Sequence, residues 1–258
     1  MSAMRQLLHE FGVDQRIFWR NPAAVFFTIA LPVLLLVLLC AVSSSQPGST
    51  AGTGLISVDV YVPAMITLGV AYAAFADLAI RLTMARERGT LKRVRATPLS
   101  PVLVVFGRMA TALVLATLLV ILPTLIGALL YGTALPGRLW LLAGTLLVAV
   151  PTLAALGFAL TIAIPSEPAA APIANALLLP LFFASGLFID SDVLPQILRD
   201  VAVVFPLQPL FELMTVAYGS AEQSTGALTA DLAVIAAWGV VGLALALMRF
   251  RWVPQAQR

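Results

Sequence analysis

The chain has 258 residues, of which 61% are hydrophobic and 10% charged, with a formal net charge of +3 and a pI near 9.5. A soluble domain is about half apolar and about a quarter charged, so the composition excludes an ordinary water-soluble globule and points to an integral membrane protein. The positive balance does not call for nucleic acid, because a Lys and Arg excess in cytoplasmic loops produces the same total.

The apolar residues come in runs of roughly 20, long enough at about 1.5 Å per residue to cross a hydrocarbon core of about 30 Å. The expected fold class is therefore an all-α integral membrane protein. It begins with residues 3–20, AMRQLLHEFGVDQRIFWR, which place Met4, Leu7, Leu8, Phe11 and Phe18 on one helical face and Arg5, His9, Arg16 and Arg20 on a neighbouring one. This pattern predicts an amphipathic helix in the membrane interface, residues 1–21.

PAAVFFTIALPVLLLVLLCAV resembles a secretory signal core, but its length and the 20 or so residues before it predict a retained first span. Cys40, the single cysteine, excludes an internal disulfide or a cysteine zinc cluster and is expected to pack as an apolar residue. Six spans are expected: about 22–42, 59–80, 102–131, 139–164, 169–189 and 229–249. Lys and Arg alternate along their flanks: three in the N-terminal segment, none in 43–58, six in 81–101, then Arg138 and Arg199 alone, with Arg249, Arg251 and Arg258 after the last span. That alternation predicts a multi-pass protein with both termini and the 81–101 loop cytoplasmic, in the inner (plasma) membrane.

Residues 201–219, VAVVFPLQPLFELMTVAYG, are apolar enough to suggest a seventh span, yet Pro206, Gln208, Pro209 and Glu212 interrupt them. A carboxylate at the bilayer centre costs about 3 kcal/mol, so 190–228 is expected to form an external hairpin that dips partway into the membrane. Prolines 32, 63, 123, 151, 172 and 180 predict kinks within spans.

The only lysine is Lys92, so G-x-x-x-x-G-K-[ST] cannot occur and no P-loop is present in these 258 residues. One His and one Cys supply neither a zinc site nor a Cys-His pair. The chain is thus not expected to be an enzyme by itself or to bind a cofactor or metal. Asp77 is expected to pair with Arg81 four residues on, and Arg108 to snorkel to the same interface. Thr67, Asn175 and Ser185 are the candidates for lining a pathway; helix-to-helix hydrogen bonding is their competing use.

The stretch RLTMARERGTLKRVRATPLSP, 81–101, holds six of the fifteen basic residues. As a helix it places Met84, Leu91 and Val94 on one side and Arg81, Arg88, Lys92 and Arg95 in an adjoining row, with Gly89 as a bend at its centre. Pro98 closes it, and Ser100 with Pro101 reads as an N-cap and first-turn proline opening the third span. A short helix beneath the membrane facing a soluble partner is expected.

RERGTLKRVRATPLSP resembles the cytoplasmic loop of ABC-2 type permeases, in which an E-x-G-T-L-x-R-x-x-x-x-P-L-S pattern follows the second span. FWRNPAAVFFTIALPVLLL and ASGLFIDSDVLPQILRDVAVVFPLQPLFELM extend the resemblance over nearly the whole chain. It implies one six-span transmembrane domain, 1–258, that pairs as a homodimer or with a second permease and docks on a separate ATPase subunit carrying ATP and Mg. It further implies that Arg86, Glu87, Arg88, Gly89, Thr90 and Leu91, with the adjoining Lys92 and Arg93, form a coupling helix seated in an ATPase groove. Drug, antibiotic or lipid-like substrates are implied for the exporter. Family sequences often carry a basic residue after the hairpin glutamate, where this chain reads FELMTVAYGS. The alternative function is a non-transporting membrane scaffold that recruits a soluble partner through the same loop.

Overall fold

The computed structural model describes residues 3–44, 58–89, 101–188 and 195–249, and the described residues contain helices and connections but no strand. Helix α1 covers Ala3–Trp19. Asn21 then stops and restarts the chain: its side chain accepts a hydrogen bond from the Ala24 amide at 3.2 Å, and Pro22 occupies the first helical position. Helix α2 follows as Pro22–Val25, a π turn at Phe26–Ala30, and Leu31–Ser44. Pro32 donates no amide hydrogen, and the π turn ends immediately before it, at Leu31, whose amide bonds the Phe26 carbonyl.

Helix α3 comprises Val58–Ala71, a second π turn at Tyr72–Asp77, and Leu78–Glu87. The two π turns face each other, with the Phe27 and Tyr72 rings stacked at 5.9 Å. The remaining helices are α4 (Pro101–Tyr131), α5 (Leu139–Leu160), α6 (Ala170–Ala184), α7 (Gln196–Val204), α8 (Leu207–Tyr218) and α9 (Thr225–Arg249).

Among the described residues five helical stretches are long and apolar enough to cross a membrane: Pro22–Ser43, Val58–Glu87, Gly107–Tyr131, Leu139–Leu160 and Thr225–Met248. The expected fifth span, 169–189, contains α6, whose 15 residues extend about 22 Å, short of a hydrocarbon core of about 30 Å. Within the expected 190–228 hairpin, α8 is buried against α3, α5 and α9.

Helix α3 forms the centre. Its most apolar window is 89% buried inside the protein, against 11% for that of α9 at the periphery. This explains why α3 is the least hydropathic of the five and carries Asp77, Arg81 and Arg86: its neighbours are protein groups able to pair with charge. Exposed Leu34, Leu38, Leu129, Leu147, Val240 and Leu247 form the apolar exterior of the bundle. Helices α5 and α9 approach closely through glycine. A Cβ on Gly239 would lie 2.6 Å from Thr152 Oγ1, and one on Gly242 would lie 2.9 Å from the Leu156 backbone nitrogen.

Candidate functional site: the charged end of the bundle

The chain concentrates ionised side chains where α1, the end of α3 and the α5–α6 connection meet. Phe18 of α1 is fully buried against Ala73, Leu115 and Leu119, which seats α1 across α3 and α4. One turn before Phe18, Asp14 therefore points inward, 7% exposed. Its Oδ1 lies 2.9 Å from Arg81 Nη1, while Arg81 Nη2 lies 2.7 Å from Asp77 Oδ2. The Asp77–Arg81 pair matches expectation; the second carboxylate, from α1, does not follow from local spacing. The guanidinium sits 5.8 Å from the Phe18 ring centroid.

Arg81 was expected in an exposed basic row with Arg88, Lys92 and Arg95. Instead it is 6% exposed, because Asp14 and Asp77 neutralise it inside the protein. Lys92 and Arg95 lie outside the described residues, as do Thr90, Leu91, Arg93 and Ser100.

Five residues beyond Arg81 stands Arg86, 2% exposed. It donates through Nη1 to the Thr161 carbonyl and through Nη2 to the Ile164 carbonyl, each at 2.7 Å, and through Nε to Glu87 Oε1 at 2.9 Å. Thr161 caps α5, whose last carbonyls have no partner within the helix and bear its negative dipole end. One guanidinium thus closes the end of a helix that comes 75 residues later in the chain. Glu87, its side chain 11% exposed, is held by Arg86.

Arg88 is the side chain that faces outward. It grips Glu167 with both arms of its fork, Nε to Oε2 at 3.1 Å and Nη2 to Oε1 at 2.5 Å. That hydrogen bonding holds the Glu167 carboxyl below its ordinary range, and the same contact raises Arg88 further above its own. Gly89 follows with φ of +70°. Expected as a bend inside a helix, it ends α3, the left-handed conformation that glycine adopts without a Cβ penalty.

The other candidates are dispersed. Arg16 on α1 and Arg20 just beyond its end are exposed, and α1 also carries Arg5. Thr67 is fully buried and bonds back to the Pro63 carbonyl at 2.9 Å, and Ser185 bonds the Leu181 carbonyl at 2.7 Å. Asn175 is half-buried and hydrogen-bonds Tyr72. Each is engaged with protein, and no hydrogen bond joins one of the three to another. Cys40 is buried within the apolar core.

In α8, Glu212 receives Gln208 Nε2 at 2.8 Å and Gln223 Nε2 at 2.9 Å, one on each carboxylate oxygen. Two side-chain amides thus satisfy this carboxylate. An apolar cavity of about 530 Å³ lies between α5 and α9, bordered by Leu147, Pro151, Phe158, Val240 and Leu243. Among the described residues no group of three His, Cys, Asp or Glu side chains is placed to hold a metal ion.

The sequence reading missed Asp14 and Glu167. Asp14 had a signal: three residues after Phe11 and four before Phe18, it falls on the face assigned as apolar. Glu167 is the lone carboxylate of a connection without Lys or Arg.

No curated protein matches the chain. The family description ABC-2 type transporter matches residues 12–218, from α1 through the end of α8. With that match over most of its length and five helices apolar and long enough to span a bilayer, the chain belongs to the ABC-2 type transporter family, as a multi-pass membrane permease component of an ABC transporter that works with an ATPase subunit.

Proposed function

We propose that this permease forms the substrate pathway of an ATP-driven exporter, as a homodimer or with a second permease, and moves drug-like, antibiotic or lipid-like substrates. Six spans place both termini and the 81–101 loop in the cytoplasm, with α6 as a short fifth span and α7–α8 as an external, partly inserted hairpin. The amides on Glu212 support that hairpin, because a carboxylate hydrogen-bonded on both oxygens enters an apolar bundle at lower cost. A reporter fused after Arg258 is expected to score as cytoplasmic; an external score overturns the six-span arrangement.

The observation that carries the coupling role is the position of Arg86–Gly89. The family-like pattern E-x-G-T-L-x-R begins at Glu87, where α3 ends, and Gly89 follows in the left-handed conformation. Residues 86–93 then form the coupling element that meets the ATPase, with the buried Arg86 and the Glu167-bound Arg88 supporting it from the permease side. In a membrane pull-down of the ATPase subunit, Glu87→Lys is expected to lower recovery severalfold. Equal recovery and unchanged transport would remove Glu87 from the contact.

A further inference from the structure

The α5–α6 connection has no basic residue of its own, yet two arginines of α3's end are fastened to it. Arg86 spans Thr161 and Ile164, and Arg88 clamps Glu167. Both arginines lie within four residues of Gly89, where α3 ends. We propose that residues Thr161–Glu167 are the receiving half of the coupling element, and that Arg86 and Arg88 are positioning residues that carry displacement of the 81–101 loop into α5. This rests on the coupling reading above and extends it to a second connection.

The mechanical argument follows from burial and geometry. Arg86 is 2% exposed and Thr161 and Ile164 are 1% and 0% exposed, so this contact has no water to exchange with when the loop moves. Its fork reaches two carbonyls three residues apart, which fixes direction as well as distance. Beyond Thr161, α5 is a continuous helix back to Leu139. Along it, Thr152 and Leu156 press on Gly239 and Gly242 of α9 with no room for a Cβ. Packing this close transmits movement instead of absorbing it. A push on the loop reaches α5 through the arginines and α9 through the glycine contacts, and so acts on the walls of the apolar cavity between them.

A cap that merely stabilised α5 would predict loss of stability without loss of coupling. A charge exchange separates the two roles, because Arg88 and Glu167 are exposed enough for either reversal to fold. The full chain in complex with its P-loop ATPase subunit, in lipid nanodiscs, is compared as wild type, Arg88→Glu, Glu167→Arg and the exchanged double variant. The expected result is a severalfold fall in ATP hydrolysis in each single variant, with the ATPase retained on the permease, and recovery of most of the rate in the double variant. Arg86→Lys, which keeps charge but cannot fork, is expected to fall as well.

A double variant no better than the singles, or singles equal to wild type, overturns the proposal. Loss of ATPase retention in Arg88→Glu alone also overturns it, while upholding the coupling reading by making Arg88 a direct contact. Hydrogen exchange across 160–168 of the permease by itself judges the clamp without the ATPase. Faster exchange in Arg86→Lys and Arg88→Glu is expected, and unchanged exchange refutes a mechanical link. A wild-type permease that retains no ATPase defeats the coupling reading and this extension of it together.

Discussion

Replacing Arg81 by methionine removes the one cation between Asp14 and Asp77 and leaves two carboxylates in a site where their side chains are 10% and 4% exposed. With charge centres near 4 Å and an effective dielectric of about 20, each pair is worth about 4 kcal/mol of Coulomb attraction. The desolvation of three buried ions offsets most of that. What the substitution exposes is therefore the cost of the orphaned carboxylates, about 3–5 kcal/mol for a broken buried pair. Arg108 still attracts Asp77, which places the expected loss at the lower end, about 3 kcal/mol.

Asp14→Asn is expected to cost less, about 1–2 kcal/mol, because Arg81 keeps Asp77 as a counter-ion. The triple variant Asp14→Asn, Asp77→Asn, Arg81→Met removes both orphans and is expected to recover most of the loss, since apolar replacement of a buried ionic group is often neutral. Equilibrium unfolding in mixed micelles with SDS, followed by helicity, orders the three. A triple variant no more stable than Arg81→Met would show that the cost comes from lost packing around the arginine stem and would refute the charge argument. Because Asp14 lies on α1 and Asp77 on α3, the same series also reports how firmly α1 is held to the bundle.

Gly157→Ala places a Cβ 2.7 Å from the Phe75 carbonyl oxygen, a backbone atom that cannot rotate away, so a loss of about 1–3 kcal/mol is expected in the same unfolding assay; wild-type stability would refute the close approach of α5 to the π turn. The Glu167 carboxyl is held down by Arg88 in the folded state, so its contribution is complete above its unfolded value and disappears as pH falls through the lowered folded value. The melting temperature of wild type is therefore expected to exceed that of Glu167→Gln at pH 7, with the gap closing below about pH 4 as Glu167 takes up its proton. A gap that persists unchanged into strong acid refutes the ion pair.

What could be read directly from the chain was whatever depends on local pattern. Runs of apolar residues mark the helices because length and hydropathy are properties of one segment, and Asp77–Arg81 was legible because four residues make one helical turn. The roles of Arg81, Arg86 and Arg88 depend on partners elsewhere: Asp14 on α1, and Thr161, Ile164 and Glu167 beyond α5. Counting charge by flank assigned all three to the basic 81–101 loop, and such a count carries nothing about partners distant in the chain.

The same limit explains α8. Its prolines and glutamate argued against one long helix, and the segment is split between α7 and α8, but the amides of Gln208 and Gln223 that complete Glu212 lie on either side of it and become partners only once the chain folds back. In a chain that is 10% charged, there is little polar material to spare. Nearly every buried ion met here is held by a group contributed from another helix or connection. The charged residues of such a protein are therefore better read as fastenings between helices than as marks on the helix that bears them. The 81–101 segment follows that rule: its first arginines, Arg81 and Arg86, are bound inward by groups of α1, α3 and the α5–α6 connection.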